Sequence, residues 1–255
     1  MDQMSEAIVK VKDLHKCYGD KEAVKGISFE VEEGEIFGIL GPNGAGKTTT
    51  LEMIETLRTI DKGQVIVNGV NADKDPQKIR YMIGVQPQST AFMDKVKLTE
   101  LLDQQAAAYG EKVDAHKLLR EVDLDDEAGK YVEQLSGGQK QRFSIAAALV
   151  HNPKIFFLDE PTTGLDPQAR RNLWELVQKV RDQGITVIMT THYMEEAEVL
   201  CDRVAIMDRG EIIAMDSPKH LVKKLLGKGF KKETHVEQAN LEDVFIDLTG
   251  HELRD

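Results

Sequence analysis

Residues 36–48 read Ile-Phe-Gly-Ile-Leu-Gly-Pro-Asn-Gly-Ala-Gly-Lys-Thr, an apolar run followed by a glycine-rich loop. Residues 36–40 predict a buried strand, and residues 41–48 match the pattern Gly-x-x-x-x-Gly-Lys-Thr. The segment from Thr48 to Leu57 then predicts a helix. Strand, glycine loop and helix in this order form a phosphate-binding loop, where backbone N–H groups and the positive end of a helix dipole meet an anion.

The loop also predicts the contacts that a nucleotide would make. Lys47 would place its ammonium group between the β- and γ-phosphates, and Thr48 would offer its hydroxyl to Mg²⁺. Backbone N–H groups of the glycine-rich part would bind phosphate oxygens. We therefore expect nucleotide contacts from Gly41, Asn43, Gly44, Ala45, Gly46, Lys47, Thr48 and Thr49.

An acidic pair, Asp159-Glu160, follows the apolar run Ile155 to Leu158. A carboxylate at the end of such a strand lies at the C-terminal edge of the sheet, where ligands of open α/β sheets bind. We expect Asp159 to bind Mg²⁺ through water, because Mg²⁺ keeps much of its hydration. Glu160 would face the γ-phosphate and polarise the water that attacks it.

The rest of the chain divides by the period of its apolar residues. Residues 8–11 and 27–31 alternate apolar and polar side chains, which predicts two strands of an antiparallel sheet. Residues 98–150 show helical patterns only, and beyond them strands and helices alternate, as is typical of a parallel sheet covered by helices. The predicted fold is α/β: a P-loop NTPase (RecA-like) core with a parallel sheet, an N-terminal antiparallel β-subdomain and an inserted α-helical subdomain at about 91–150.

Composition excludes several classes of protein. The net charge of −11 argues against general nucleic-acid binding, which needs a basic surface. No stretch of 18 apolar residues occurs, so we expect no membrane span. The acidic residues at the start predict no secretory signal. Cys17 and Cys201 lack metal-ligand spacing, and we expect both to be reduced thiols.

The pentapeptide Leu-Ser-Gly-Gly-Gln at residues 135–139 indicates which kind of nucleotide-binding protein this is. A phosphate loop, this pentapeptide and an acidic pair, in this order, resemble the ATP-binding cassette (ABC) family, the nucleotide-binding subunits of ABC transporters. The resemblance implies ATP and Mg²⁺ as ligands, ATP hydrolysis as the reaction, and a head-to-tail homodimer. In that dimer Asp166 crosses the interface, and the partner copy's ATP is covered by Ser136, Gly137, Gly138 and Gln139.

Three further roles follow from the resemblance. His192, directly after the predicted strand 186–190 and one threonine, matches the histidine that hydrogen-bonds the γ-phosphate. Gln88 matches the glutamine that contacts Mg²⁺ and the reacting water at the hinge to the helical insert, with Gln86 as a competitor two residues away. Tyr18 matches the aromatic residue that stacks on adenine, a contact that discriminates little between bases.

Three strings narrow the resemblance: Thr-Leu-Glu-Met-Ile-Glu-Thr-Leu-Arg at 50–58, Thr-His-Tyr-Met-Glu-Glu-Ala-Glu at 191–198 and Leu-Glu-Asp-Val-Phe at 241–245. They resemble the ATPases of ABC-2-type permeases, a branch that includes exporters similar to the daunorubicin-resistance type. The resemblance implies a subunit that powers export through a separate transmembrane permease, which residues 91–102 would contact at the cytoplasmic face of the cell membrane. A second hypothesis is a non-transport ABC ATPase that drives an assembly process such as iron–sulfur cluster building.

We expect residues 1–220 to form the ABC ATPase domain and residues 221–255 a short C-terminal extension. In the branch just named, the stretch before the final string is often longer than residues 227–240 here, which leaves the fold of the extension open. Residues 241–248 predict a short amphipathic helix within it.

Overall fold

A computed structural model describes residues 7–88 and 91–230. Two compact units, Met1–Leu221 and Val222–Asp255, divide the chain, and each is described by itself; the predicted boundary after residue 220 stays a prediction. The strands are β1 (Ala7–Tyr18), β2 (Lys21–Glu32), β3 (Ile36–Leu40), β4 (Lys62–Val67), β5 (Val70–Asn71), β6 (Ile83–Gln86), β7 (Ile155–Asp159), β8 (Thr186–Thr191), β9 (Arg203–Asp208) and β10 (Glu211–Asp216). The α-helices are α1 (Lys47–Ile54), α2 (Pro76–Arg80), α3 (Leu98–Ala108), α4 (Ala115–Glu121), α5 (Gly137–Ala148), α6 (Pro167–Asp182), α7 (Met194–Leu200) and α8 (Pro218–Gly227).

The first sheet is antiparallel, with the strand order β2-β1-β4-β5. In the pairing of β1 with β4, the buried residues Val9 and Val11 lie opposite Val67 and Val65. Alternate side chains of these strands thus form one apolar face, which belongs to the core. The period of two in the N-terminal sequence correctly predicted β1 and β2 as strands of an antiparallel sheet.

The second sheet has the order β10-β9-β3-β8-β7-β6, and its neighbours are parallel except β9 and β10. Every residue of β3, β7 and β8 is buried, as expected for a sheet covered on both faces. Ile36 and Leu40 pack in a cluster with residues of α3 to α7, whereas Phe37 and Ile39 pack with α1 and the first sheet. The parallel sheet is therefore the middle one of three layers, and the predicted α/β fold is confirmed.

The inserted helices α3, α4 and α5 share one apolar core. Leu102, Leu119 and Phe143, one from each helix, are all fully buried. Two short 3₁₀ helices, at Asp125–Glu127 and Val132–Gln134, connect α4 to α5. Within residues 7–88 and 91–230, no helix combines the length and the apolar character that crossing a membrane requires.

Some elements differ from the prediction near α1 and α2. The helix predicted to reach Leu57 ends at Ile54, and Thr56 takes a positive φ of 63°, which a continuing helix does not allow. α2 begins with Pro76, a residue that suits the first helical position. With only five residues, α2 is too short to show a helical period in the sequence.

The sequence after Pro218 is less regular, and no helix was predicted at its start; the structure has α8 there, which ends at Gly227. Proline at its start and glycine at its end are the expected boundary residues of a helix. The two-residue strand β5 was also not predicted. The helix predicted at residues 241–248 lies outside the described residues.

Parallel strands bring their C-terminal ends to the same edge of the sheet. The phosphate loop follows β3, and residues 87–88 follow β6. The loop after β7 begins with Glu160, and His192 directly follows β8. Four loops that are far apart in the sequence therefore meet at one edge of the parallel sheet.

A buried acid stands at the other end of α1. Glu55 is the C-cap residue of this helix and is 3% exposed. Burial, together with the nearby charges of Asp159 and Glu52, raises the pKa of Glu55 from its ordinary value of 4.5 to about 8. The folded chain therefore keeps a proton on Glu55 at neutral pH that the unfolded chain releases.

This proton predicts how stability changes with pH. Between 4.5 and about 8 the folded state binds the extra proton, so the free energy of unfolding decreases as pH rises, by at most about 1.4 kcal/mol per unit of pH. Glu55→Gln removes this contribution, and we expect the variant to gain stability relative to the parent as pH rises through that window. Chemical denaturation at several pH values measures the difference. The exposed Glu198→Gln is the matched control, and parallel pH profiles for parent and Glu55→Gln would contradict the assignment.

Candidate active site

A cleft of about 540 Å³ opens at the edge where the four loops meet. Its lining residues are Asn43, Gly44, Gly46, Lys47, Thr48, Thr49, Gln88, Glu160, Thr163 and His192. All except Thr163 belong to the residues that the sequence predicted. Two predicted loop residues, Gly41 and Ala45, are not among the lining residues: Ala45 is buried, and its N–H donates to the Pro42 carbonyl at 3.2 Å.

Two glycines of the phosphate loop lie against other backbone segments. Gly46 has a φ of 103°, in the left-handed region, and a Cβ there would lie 2.5 Å from the carbonyl oxygen of Ala23. At Gly41 a Cβ would lie 2.1 Å from the carbonyl oxygen of Met207. A side chain at either position would displace the loop, which explains why the pattern requires glycine at its two ends.

The ammonium group of Lys47 is buried at the centre of the loop, with 4% of the side chain exposed. It donates hydrogen bonds to the carbonyl oxygens of Gly41 at 2.9 Å and Pro42 at 3.2 Å. Its third neighbour is the Oε1 atom of Glu160 at 3.1 Å. A buried charge needs such partners, and here one carboxylate and two carbonyl dipoles supply them.

Asp159 ends β7 and is 7% exposed. Its Oδ1 atom accepts hydrogen bonds from the hydroxyl of Thr48 at 3.2 Å and from that of Thr190. Burial raises the pKa of the Asp159 carboxyl above its usual range, and these two hydroxyls offset part of the effect. A divalent cation beside this carboxylate would favour its ionised form.

The three residues predicted to bind Mg²⁺ carry oxygen atoms of the type that this ion prefers. The hydroxyl of Thr48, the carboxylate of Asp159 and the side-chain amide of Gln88 supply such oxygens. In the part of the chain that the structure describes, no group of three or more His, Cys, Asp or Glu residues could hold a metal by itself. A magnesium ion here would therefore take its remaining ligands from nucleotide phosphates and water, as is usual for Mg²⁺.

Glu160 has a φ of 47°, a left-handed conformation that is uncommon for residues other than glycine. Its N–H donates to the hydroxyl of Thr190 at 3.0 Å. Its carboxylate lies 3.1 Å from Nζ of Lys47, 3.4 Å from the hydroxyl of Thr163 and 3.2 Å from Nδ1 of His192. This histidine nitrogen is close to Glu160 but outside hydrogen-bonding geometry, and it has no hydrogen-bond partner among the described residues. The side chains of Lys47, Glu160 and His192, all three predicted as site residues, thus converge in the cleft.

Of the two candidate glutamines, Gln88 lines the cleft and is exposed to solvent. Gln86 is 1% exposed, and neither atom of its amide has a hydrogen-bond partner among the residues that the structure describes. The geometry therefore favours Gln88 for a contact with a bound nucleotide.

Tyr18 lies at the end of β1 and is 42% exposed, and it is not one of the described lining residues of the cleft. The guanidinium carbon of Arg58 lies 5.5 Å from the centroid of its ring, and Nζ of Lys16 lies 5.9 Å from it. These cations are within the range of cation–π attraction. Stacking on adenine stays a prediction for this residue.

The predicted dimer residues lie away from the cleft. Ser136 caps α5: its hydroxyl accepts from the N–H of Gln139 at 3.2 Å, and the Gln139 side chain accepts from the N–H of Ser136 at 2.9 Å. None of residues 136–139 is among the described lining of the cleft. Asp166 likewise caps α6, accepting from the N–H of Ala169 at 2.8 Å. A single chain therefore does not bring these predicted ATP contacts to its own phosphate loop.

Sequence reasoning missed two hydroxyl groups of the site. Thr190 lies beside Asp159 in the register of β7 with β8, and it hydrogen-bonds both acids of the pair. Nothing local in the sequence identifies that pairing. Thr163 comes three residues after Glu160, and the polar pair Thr162-Thr163 was a signal that could have identified it.

Comparison with known proteins places this geometry in a family. A family model described as ABC transporter matches residues 24–163. The linearmycin resistance ATP-binding protein LnrL of Bacillus subtilis (strain 168) is 42% identical over 225 residues, which cover 86% of this chain and 72% of the relative. The Nod factor export ATP-binding protein I of Burkholderia orbicola (strain AU 1054) is 36% identical over 304 aligned positions, which cover 99% of this chain and 100% of the relative.

One similar solved structure is the dimeric structure of a post-hydrolysis state of an ATP-binding cassette bound to ADP and Pi. It matches with a TM-score of 0.74 and 28% identity, over 82% of this chain and 98% of that chain. The family match spans more than half of the present chain and includes the phosphate loop, the pentapeptide and the acidic pair. The chain therefore belongs to the ABC transporter family: it is an ATP-binding cassette, and it is an ATPase.

Proposed function

We propose that this ATPase powers export through a separate ABC-2-type transmembrane permease. The observation that carries the catalytic part is the cleft in which Lys47, Glu160 and His192 converge beside the phosphate loop. The export part is supported by the names of the two relatives, one for Nod factor export and the other for linearmycin resistance. Neither relative is named for iron–sulfur cluster assembly.

Binding of ATP would change the partners of Lys47. The ammonium group now contacts the carboxylate of Glu160 at 3.1 Å. The β- and γ-phosphates carry more negative charge than one carboxylate, and they would also accept hydrogen bonds from the N–H groups at the start of α1. We expect the phosphates to replace Glu160 at Lys47, which would leave the Glu160 carboxylate available to a water molecule.

Magnesium would be held by Thr48, Gln88 and Asp159 together with the phosphates. When bound, it would neutralise charge that develops on the β- and γ-phosphate oxygens. Asp159 is prepared for this role, because two hydroxyls orient its carboxylate and burial favours a compensating cation.

Hydrolysis would proceed by in-line attack of water on the γ-phosphorus. Glu160 would accept a proton from that water as the new P–O bond forms, and the bond to the bridging oxygen breaks to give ADP and phosphate. Lys47 would stabilise the negative charge. His192, already 3.2 Å from Glu160, would hydrogen-bond a γ-phosphate oxygen on the same side.

A second copy of the chain would complete each site. Ser136 and Gly137 are exposed at the start of α5, where backbone N–H groups favour an anion. In a head-to-tail homodimer, Ser136, Gly137, Gly138 and Gln139 would cover the γ-phosphate held by the other copy, with Asp166 at the interface. The similar cassette structure that is dimeric supports this arrangement, and two equivalent sites would result. Tyr18 would stack on the adenine of the ATP held by its own chain.

The permease would bind beside α3. A groove of about 370 Å³ between α2 and α3 is lined by Gln77, Arg80, Tyr81, Gln105, Ala108 and Tyr109. Tyr81 is 62% exposed, and Met93, within residues 91–102, is 57% exposed. Large apolar side chains exposed in this way are suited to a protein partner. That contact would hold the chain at the cytoplasmic face of the membrane.

Glu160→Gln tests the catalytic assignment. Glutamine cannot accept a proton from water and does not compete with phosphate for Lys47. We therefore expect ATP hydrolysis to fall by at least about 100-fold, with ATP bound more tightly and the dimer stabilised. Release of phosphate and size-exclusion chromatography with ATP and Mg²⁺ measure the two effects.

The exposed Glu198→Gln, which changes the same chemical group outside the cleft, serves as the matched control. Hydrolysis by Glu160→Gln at the parental rate would show that another group activates the water. A variant that loses hydrolysis but stays monomeric with ATP would instead contradict the head-to-tail dimer.

Tyr81→Asp tests the contact with the permease. We expect the tagged parent chain to recover a polytopic membrane protein from detergent-solubilised host membranes. Tyr81→Asp should recover much less of it, because the variant replaces a large exposed aromatic side chain of the groove with a small charged one. Ile213→Asp is the matched control, since Ile213 is 64% exposed on β10. Equal recovery by both variants would refute the groove as the contact site, and recovery of soluble partners only would refute the export function.

A further inference from the structure

Tyr193 is a residue near the site that the mechanism above does not use. It follows His192, and its N–H donates to the hydroxyl of Thr191 at 3.0 Å, which fixes the start of the turn between β8 and α7. The centroid of its ring lies 4.1 Å from that of the His192 ring, with the two planes inclined by 39°. The imidazole therefore rests against a larger aromatic ring.

A second contact holds the ring of Tyr193. The guanidinium carbon of Arg170 lies 4.6 Å from its centroid. The Nε atom of Arg170 is buried without a hydrogen-bond partner among the described residues. The guanidinium group does contact the aromatic face of Tyr193. Cation–π attraction strengthens when the cation is withdrawn from water.

Arg170 is fixed by α6 and not by the loop that carries His192. The backbone N–H of Arg170 donates to the backbone carbonyl of Asp166 at 3.0 Å, in the first turn of that helix. Glu196, fully buried on α7, accepts a hydrogen bond from the indole of Trp174 on α6 at 3.2 Å. Burial raises the pKa of Glu196, and the charge of Arg170 acts in the opposite direction. Two contacts thus join α6 to the segment after His192.

We propose that Tyr193 is a positioning residue for His192, and that Arg170 on α6 holds its ring in place. With the Tyr193 ring fixed, the imidazole is restricted to orientations that keep Nδ1 beside Glu160, 3.2 Å away. The inference rests on the proposed role of His192 in hydrolysis. It assigns the pair to orientation only, since neither residue lies in the described lining of the cleft.

The same contact has a consequence for the dimer. Asp166, the residue proposed to cross the interface, lies one helical turn before Arg170. A shift of the start of α6 on association would therefore reach His192 through two side chains. If Tyr193 served only to pack the turn, its replacement would lower activity to the same extent with and without the imidazole of His192.

The test compares Tyr193→Leu with Tyr193→Phe in the full-length chain, each with and without His192→Ala. Steady-state phosphate release gives kcat and KM for ATP. We expect Tyr193→Leu to lower kcat about tenfold with little change in KM, because a misoriented group loses rate more than binding. Tyr193→Phe keeps the ring and should retain the parental kcat. In the His192→Ala background, Tyr193→Leu should cause no further loss.

Arg170→Lys provides a second variant, which keeps the charge but loses the planar group that stacks on the ring. It should lower kcat in the same direction as Tyr193→Leu, also only when His192 is present. Met194→Ala, at the next and exposed position, controls for disturbance of the turn, and thermal unfolding confirms that each variant is folded.

The outcomes separate the inference from the function on which it rests. Parental hydrolysis by His192→Ala would refute the role of the histidine and the inference with it. If His192→Ala lowers kcat but neither Tyr193→Leu nor Arg170→Lys does, only the positioning role is wrong. An equal loss from Tyr193→Leu with and without His192 would identify Tyr193 as a packing residue. A loss in Tyr193→Phe as large as in Tyr193→Leu would assign the effect to the hydroxyl group and refute the ring contact.

Discussion

The buried ammonium group of Lys47 is the constraint on which the rest of the site depends. A charge that is 4% exposed is tolerated only with close partners. The chain provides two loop carbonyls, which fix the loop's shape, and Glu160, which brings the strand end of β7 to the loop. The group that neutralises the lysine is the same carboxylate that we propose as the base. Phosphate binding and activation of water are therefore linked by competition for one cation.

That link requires loops far apart in sequence to meet, and the parallel sheet makes them do so. Because β3, β7 and β8 run in the same direction, register alone places Thr190 beside Asp159 and brings His192 towards Glu160. Both faces of these strands are buried, so a one-residue slip in register would exchange the side chains that pack against the two neighbouring layers as well as misplace the site. Packing of the sheet and geometry of the cleft are thus determined together.

Features that depend on neighbouring residues could be predicted from the sequence, whereas features that depend on contacts between distant segments could not. The phosphate loop and β3 depend on neighbouring residues, and the predicted strand at residues 36–40 has the same bounds as β3. Thr190 was missed because its role depends on strand pairing, and the Tyr193–Arg170 contact because α6 and α7 are separate in sequence. Gln86 and Gln88 have the same side chain; the resemblance favours Gln88, and the burial of Gln86 in the structure agrees with that choice. α8 was not predicted because residues 223–232 hold five lysines and two glycines, a composition typical of a linker.

The start of α5 shows how the ATP contacts proposed for the pentapeptide can lie on a second chain without leaving this helix end unsatisfied. Ser136 and Gln139 satisfy each other's N–H groups, so the start of α5 is complete before a ligand arrives. Ser136 and Gly137 are exposed, and the remaining N–H groups of the first turn, which have no intrahelical acceptor, suit an anion. A helix end that needs no rearrangement loses little conformational entropy when it binds a phosphate. The ATP held by a second copy would therefore meet a preformed surface, and the free energy of that contact is available for dimer closure.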